Sequence, residues 1–210
     1  MKAVLIYSTL RAVFIASNAF AQTDVGVSAS VLAAIQPIDD AYVGSPYLSE
    51  GIGGLGPGFA AGVSIITRDG FVIAGEYSTV RFEQIQDGRL VLGPFPLEHV
   101  PATTRLHDSV LSVLFGYAKG ESTKVIFLGG VGLRLDRPTI NDVEAEHYDI
   151  SEKEFPAVTG GVDLLHPLST RAQLVITGRY TFNERDTRQQ YLGIGPHVIR
   201  AGAGIRIRLN

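Results

Sequence analysis

The sequence has no cysteine and no tryptophan, and its single methionine is Met1. Without cysteine there are no disulfides, no thiolate nucleophile and no thiolate metal ligands. Charge is sparse: 19% of residues are Asp, Glu, Lys or Arg, and the formal net charge is -3. No basic stripe of the kind that grips a phosphate backbone is present, which argues against a nucleic-acid partner. Beyond the N-terminus no apolar run approaches the roughly 18 residues of a transmembrane helix. A mature form that crosses a membrane must therefore cross it as a closed barrel. Helical periodicity is missing as well.

What is present begins with "MKAVLIYSTLRAVFIASNAFAQ". Lys2 supplies a short positive start, Ala12 to Ala16 form the centre of an apolar stretch, and Ala19-Phe20-Ala21 offers small residues before a cleavage point. This is the pattern of a secretory signal peptide over 1–21, leaving one domain, 22–210.

The 24 glycines and the many β-branched residues point to an all-β chain. Eight segments alternate apolar and polar residues: 24–32, 58–67, 71–82, 106–118, 124–135, 156–165, 171–182 and 197–210. Most reach the roughly 9–11 residues of a tilted membrane-spanning strand. Their connections alternate without exception. "RDG", "KGEST" and "HPLST" are tight, whereas 33–57, 83–105, 136–155 and 183–196 are long. An up-and-down meander then has every tight turn at one end and every long loop at the other, the asymmetry of transmembrane barrels. The fold class expected is an all-β, eight-stranded, antiparallel up-and-down transmembrane β-barrel.

Each strand has an apolar and a polar face. In "HVIRAGAGIRIRLN", Ile199, Ala201, Ala203, Ile205 and Ile207 oppose Arg200, Gly202, Gly204, Arg206 and Arg208. Strand seven opposes Leu174, Ile176 and Tyr180 to Gln173, Thr177 and Arg179, and strand five opposes Val125, Phe127, Val131, Leu133 and Leu135 to Lys124, Gly130, Gly132, Arg134 and Asp136. If the apolar faces point to lipid, the lumen receives Glu76, Asp108 and Asp163 with Arg134, Arg179, Arg200, Arg206 and Arg208. An eight-stranded barrel is just wide enough for side chains to fill. Buried charges there must be paired. Arginine is in excess, so further acceptors must come from carbonyls, waters or other side chains. If the apolar faces point inward instead, the protein is a periplasmic lipocalin-like carrier of a small hydrophobic ligand.

Periodicity does not choose between these orientations. Loop asymmetry, strand length and aromatics favour the lipid-facing one: Phe71, Tyr117 and Phe127 lie near the tight-turn ends, and Phe59, Tyr180 and Phe182 near the long-loop ends, like two interfacial girdles.

With "GPGFAAGVSIITRDGFVIAGEYSTV" and the closing "GAGIRIRLN", the chain resembles the small eight-stranded outer-membrane β-barrels, the OmpA-like and OmpX-like proteins of Gram-negative envelopes, over roughly 24–210. The resemblance implies bacterial outer-membrane localisation. It also implies a structural or surface-interaction role, with membrane lipid, lipopolysaccharide and the outer-membrane assembly machinery as partners and the long loops open to an extracellular one. Barrels of this kind commonly end in an aromatic residue, whereas this sequence ends Leu209-Asn210.

Some outer-membrane barrels modify lipids, which makes any Ser–His pair of interest. "LHDS" puts His107 and Ser109 on one strand face, but side chains at i and i+2 stand about 7 Å apart, and a nucleophilic pair needs hydrogen-bond contact. "GIGGLGPG" (51–58) lacks the Lys-Ser/Thr and helix of a phosphate loop and reads as a flexible rim. The acidic stretch 141–154 lacks calcium-loop spacing and reads as a solvated loop. The stretch 83–105, with Pro94, Pro96 and Pro101, reads as irregular. No catalytic residue, cofactor or metal is expected, and the lumen charge network is the candidate site.

Overall fold

The computed structural model describes residues 23–37, 51–90, 98–140, 143–144, 153–184 and 187–209. The expected signal peptide lies outside them, as do 141–142 and 145–152 of the acidic stretch. Nine strands run β1 Asp24–Gln36, β2 Gly54–Ile66, β3 Phe71–Leu90, β4 Glu98–Lys119, β5 Lys124–Ile140, β6 Val143–Glu144, β7 Lys153–Pro167, β8 Ala172–Asn183 and β9 His197–Arg208. A six-residue helix, α1 Thr187–Leu192, precedes β9. The two-residue β6 folds back on the end of β5. The eight long strands each pair antiparallel with their neighbours in this series, and β9 returns to β1 from Gly26↔Arg208 to Ile35↔Ile199. Closure removes the sheet edges that would otherwise invite another chain.

The tight turns are built by local chemistry. At the β2–β3 turn the Thr67 hydroxyl accepts the Phe71 N–H at 3.0 Å, and Gly70 takes φ 89°. That left-handed conformation favours glycine. At the β7–β8 turn the Ser169 hydroxyl accepts the N–H groups of Arg171 and Ala172, at 3.3 and 3.0 Å.

Three of the expected long connections are partly strand: 33–36 and 54–57 belong to β1 and β2, 83–90 and 98–105 to β3 and β4, and 136–140, 143–144 and 153–155, parts of the acidic stretch included, to β5, β6 and β7. β3 and β4 stay paired to Leu90↔Glu98, so 83–90 and 98–105 are ladder and not irregular chain. Alternation continues there, with Phe82 buried and Ile85 exposed. Pro101 is tolerated because it lies beyond Thr104↔Ile140, the last described β4–β5 pair, where β4 has one neighbour. Likewise "GIGGLGPG" is not a flexible rim. β2 begins at Gly54, and Ile52 is buried with its N–H donated to the Leu192 carbonyl at 3.1 Å.

The faces divide sharply. Val31, Phe127 and Val131 are 73, 60 and 63% exposed, whereas Arg134, Arg200 and Arg206 are 0, 2 and 2% exposed. Arginine is inside and valine outside. The interior also holds apolar residues that strand alternation had not singled out. Towards the tight turns, Ile66, Val72, Leu114, Ile126, Leu165 and Val175 pack together. Towards the long loops, Ala34, Val80, Phe82, Leu106 and Val198 pack against Ile52, Leu192 and Ile194. The last two belong to α1 and the turn after it, so the β8–β9 connection folds into the barrel mouth. A six-residue helix is too short to show a period in the sequence.

Candidate functional site

The charged groups of the lumen form three layers. Nearest the tight turns, Arg206 meets Asp24 at 2.9 Å and donates to Gln173 Oε1 and Ser64 Oγ at 2.7 and 2.9 Å. Arg208, beside it at the lumen end, grips the other Asp24 oxygen at 2.8 and 3.0 Å. In the middle layer Arg179 forks onto Asp163 at 2.6 and 3.0 Å and reaches Glu76 at 2.7 Å. A two-pronged guanidinium–carboxylate contact is among the stronger charge-assisted arrangements. The space beside this layer, bordered by Ser28, Gly62, Ser64, Glu76, Asp163 and Arg179, is about 30 Å³. That is about the volume of one water in the liquid.

The third layer lies towards the long loops. Asp108 stands between two guanidiniums, with Oδ2 at 2.9 Å from Arg134 and Oδ1 at 2.6 Å from Arg200. Arg134 also donates to Asn183 Oδ1, the Gly195 carbonyl and Gln36 Oε1, at 2.6, 3.1 and 3.2 Å. Its Nε sits 3.1 Å from Asp136 Oδ1 but aims its N–H at Asp108, so Asp136 contributes charge there without a hydrogen bond. The other Asp136 oxygen accepts from Gln189 of α1 at 2.6 Å. Arg200 donates to Thr181 Oγ1 at 3.0 Å. The charge layer thus holds α1 and Gly195 in the mouth.

All eight residues singled out from the sequence face the lumen, and the structure brings them together in these three groups. Asp24 was missed, and Asp136, placed on the polar face of strand five, was not drawn into the network. Asp24 shares the parity of Gly26, Ser28 and Ser30, and Asp136 that of Arg134, so the alternation already carried both. With them five guanidiniums, of Arg134, Arg179, Arg200, Arg206 and Arg208, meet five carboxylates, of Asp24, Glu76, Asp108, Asp136 and Asp163. The apparent arginine excess disappears. Gln36 and Asn183 share the inward parity of β1 and β8 but lie beyond the segments read from the sequence, and Gln189 had no comparable signal.

Glycine makes room for the guanidiniums. A Cβ on Gly161 would stand 2.7 Å from Arg179 Cδ, and one on Gly26 would collide with the Arg206 guanidinium. Arg206 is held by Asp24, Gln173 and Ser64 and cannot step aside freely. Gly26→Val is therefore expected to lower stability in detergent by about 1–3 kcal/mol, the usual cost of overpacking. Gly129→Val is the control, because a Cβ there meets nothing within 4 Å. Urea unfolding followed by tyrosine fluorescence or circular dichroism separates the two. Equal midpoints would remove the spatial role assigned to Gly26.

On the outer surface Phe71, Tyr117 and Phe127 are register neighbours across β3, β4 and β5 at the tight-turn end. At the other end the Tyr180 hydroxyl and His197 Nδ1 are 2.6 Å apart, with the Phe182 ring 5.2 Å from that of His197. Ser109 faces outward with His107, but its hydroxyl donates to Thr79 Oγ1 at 2.9 Å and accepts from Tyr77 at 3.3 Å. These contacts engage Ser109 away from His107 and give no nucleophile–base pair. Among the described residues no group of three His, Asp or Glu side chains could hold a metal ion.

No protein-family model and no curated protein sequence matches the chain. Solved structures do resemble it. Ail, the attachment invasion locus protein of Yersinia pestis, in complex with the heparin analogue sucrose octasulfate, superposes with a TM-score of 0.53 and 11% identity over 90% of this chain and 99% of that one. A major outer membrane protein from Thermus thermophilus gives a TM-score of 0.52 and 12% identity over 87% of this chain and 99% of that one. Identities this low speak to architecture alone. The chain has the fold of the small eight-stranded outer-membrane β-barrels.

Proposed function

We propose that the chain is an integral bacterial outer-membrane protein whose barrel is a closed anchor, with a plugged lumen and with its long loops on the outer side. Segment 1–21 is the cleaved signal peptide that takes it there. Its role is structural or surface-interactive, it performs no chemistry on lipids, and the assembly machinery of the outer membrane inserts it.

The observation that carries this reading is the inverted polarity: guanidiniums buried on the concave side and a belt of exposed Val, Ile, Leu, Phe and Tyr on the convex side. In water such a continuous apolar belt would be an aggregation surface, whereas in a bilayer it is the lipid-facing band. A lipocalin-like carrier would need the opposite arrangement, with an apolar cavity inside. The balanced ion pairs and the buried Leu192 and Ile194 support a lumen closed to large solutes.

Membrane fractionation followed by electrophoresis in SDS, with and without boiling, tests the reading. Recovery in the outer membrane with heat-dependent mobility is expected, together with no porin-like conductance steps in planar bilayers. A soluble periplasmic monomer that binds a hydrophobic fluorophore would overturn the orientation. Large, steady conductance would overturn the plugged lumen.

A further inference from the structure

We infer that the β8–β9 connection is a lid that opens as one unit over a blind vestibule at the loop end of the lumen, admitting water to the third charge layer while the middle layer stays shut. The inference rests on the plugged-lumen reading above and names the part of the plug that moves.

The neck of the connection is closed on itself. It leaves β8 at Asn183 and rejoins β9 beside Pro196, and the Asn183 N–H donates to the Pro196 carbonyl at 3.1 Å. Strand pairing starts at the next pair, Phe182↔His197. A compact loop whose ends are joined can lift without pulling on the wall. Its inner end is self-contained as well. The N–H groups of Ile194 and Gly193 return to the carbonyls of Gln189 and Gln190 at 2.9 and 3.2 Å, and Gly193 takes φ 61°. This is a complete helix C-cap, so α1 and the turn after it keep their shape when the wall lets go.

The ties to the wall are side-chain contacts and not strand pairing. Gln189 donates to Asp136 at 2.6 Å and accepts from Asn183 at 3.1 Å. The Gly195 carbonyl accepts from Arg134 at 3.1 Å and from Gln36 at 3.5 Å. Water can take over each of these contacts. On opening, Arg134 keeps Asp108, Asn183 and Gln36, and Arg200 keeps Asp108 and Thr181. No guanidinium is orphaned. Asp136 Oδ1, which has no hydrogen bond in the closed form, becomes free to accept one from water. What holds the lid down is therefore the burial of Leu192 and Ile194 against Phe82, Leu106 and Val198. An element held this way opens well before the wall unfolds.

Opening stops at the middle layer. The donors of Arg179 run to Asp163, Glu76 and the carbonyls of Val162 and Gly178, all of them in the wall. None of these contacts changes when the lid lifts.

The sequence has no cysteine, so single introduced cysteines report access directly. Val198 lies under the lid, in the cluster with Leu192 and Ile194. Ser112 lies below the third layer, in register with Glu76. Ser122, exposed in the β4–β5 turn, gives the unhindered rate. The full-length mature protein in nanodiscs is treated with a membrane-impermeant methanethiosulfonate, and the adduct is read by mass. Val198→Cys is expected to react more slowly than Ser122→Cys but at least tenfold faster than Ser112→Cys. Adding Gln189→Ala and Leu192→Ala should speed the Val198→Cys reaction at least fivefold further, with Ser112→Cys still protected and heat-dependent mobility retained. Mobility is read on every sample, so a variant that fails to fold is recognised, and Gln189→Ala alone then serves with a smaller gain. Val198→Cys as protected as Ser112→Cys overturns the lid and leaves the plugged lumen standing. An unchanged Val198→Cys rate in the loosened variants overturns α1 as the moving part. Reaction of Ser112→Cys at the Ser122→Cys rate overturns the plugged lumen itself.

Discussion

Asp108→Ala is expected to cost the barrel about 3–5 kcal/mol, the scale on which removing one partner of a buried ion pair destabilises a protein. Asp108 is fully buried and is shared by Arg134 and Arg200, which are buried as well. Its removal leaves two guanidiniums facing Asp136, with too few carboxylates and no access to bulk water. The penalty comes from the charge left behind, not from the value of the pair itself, since replacing a whole ion-pair cluster by well-packed apolar residues can be neutral. Asp108→Asn keeps the shape and two polar atoms and should fall between wild type and Asp108→Ala. Glu83→Ala, which removes an exposed acid at the surface, should leave the midpoint where it is. Urea titration in detergent, read as loss of the fast-migrating unboiled form, measures all three. An Asp108→Ala barrel as stable as wild type would mean that the third charge layer does not exist in the folded protein.

Val131→Arg probes the outer face. Val131 lies between Val113 and Val158 in register and within the apolar band of β5. At the midplane of a bilayer an arginine on the lipid face costs about 2–4 kcal/mol. In a water-soluble barrel the same change would place a charge in solvent and leave stability unchanged or improve solubility. The sign of the effect therefore reports the medium around the strand. Unfolding of the vesicle-embedded protein should show the loss. A variant as stable as the parent, or more stable, would put water and not lipid against Val131.

The charge balance of the lumen also shows how far alternation reaches. A period of two assigns Asp24, Asp136, Arg134 and Arg206 to one face of their strands from local sequence alone. Turn spacing orders the strands as a meander. The pairing of those charges is a different matter. Asp24 meets Arg206 and Glu76 meets Arg179 across 182 and 103 residues of sequence, and which acid faces which base depends on how the strands are staggered when β9 closes on β1. Local periodicity fixes that stagger only to within steps of two residues.

The mouth of the barrel was less legible still. Gln189 reaches Asp136 across 53 residues and Gln36 reaches Arg134 across 98. These polar residues come from a short helix and strand ends whose local pattern resembles any surface loop. They are buried because the third charge layer needs their donors and acceptors and the apolar cluster of Phe82, Leu106 and Val198 needs Leu192 and Ile194. The sequence by itself determined the strands, their order and the two faces, because side-chain direction in a strand alternates with every residue. Loop asymmetry, strand length and aromatics already favoured the polar face as the concave one, whereas how the charges pair and what fills the mouth were decided only by closure. Curvature and stagger are properties of the whole sheet, and on its concave side only glycine, small polar residues and mutually paired ions fit together.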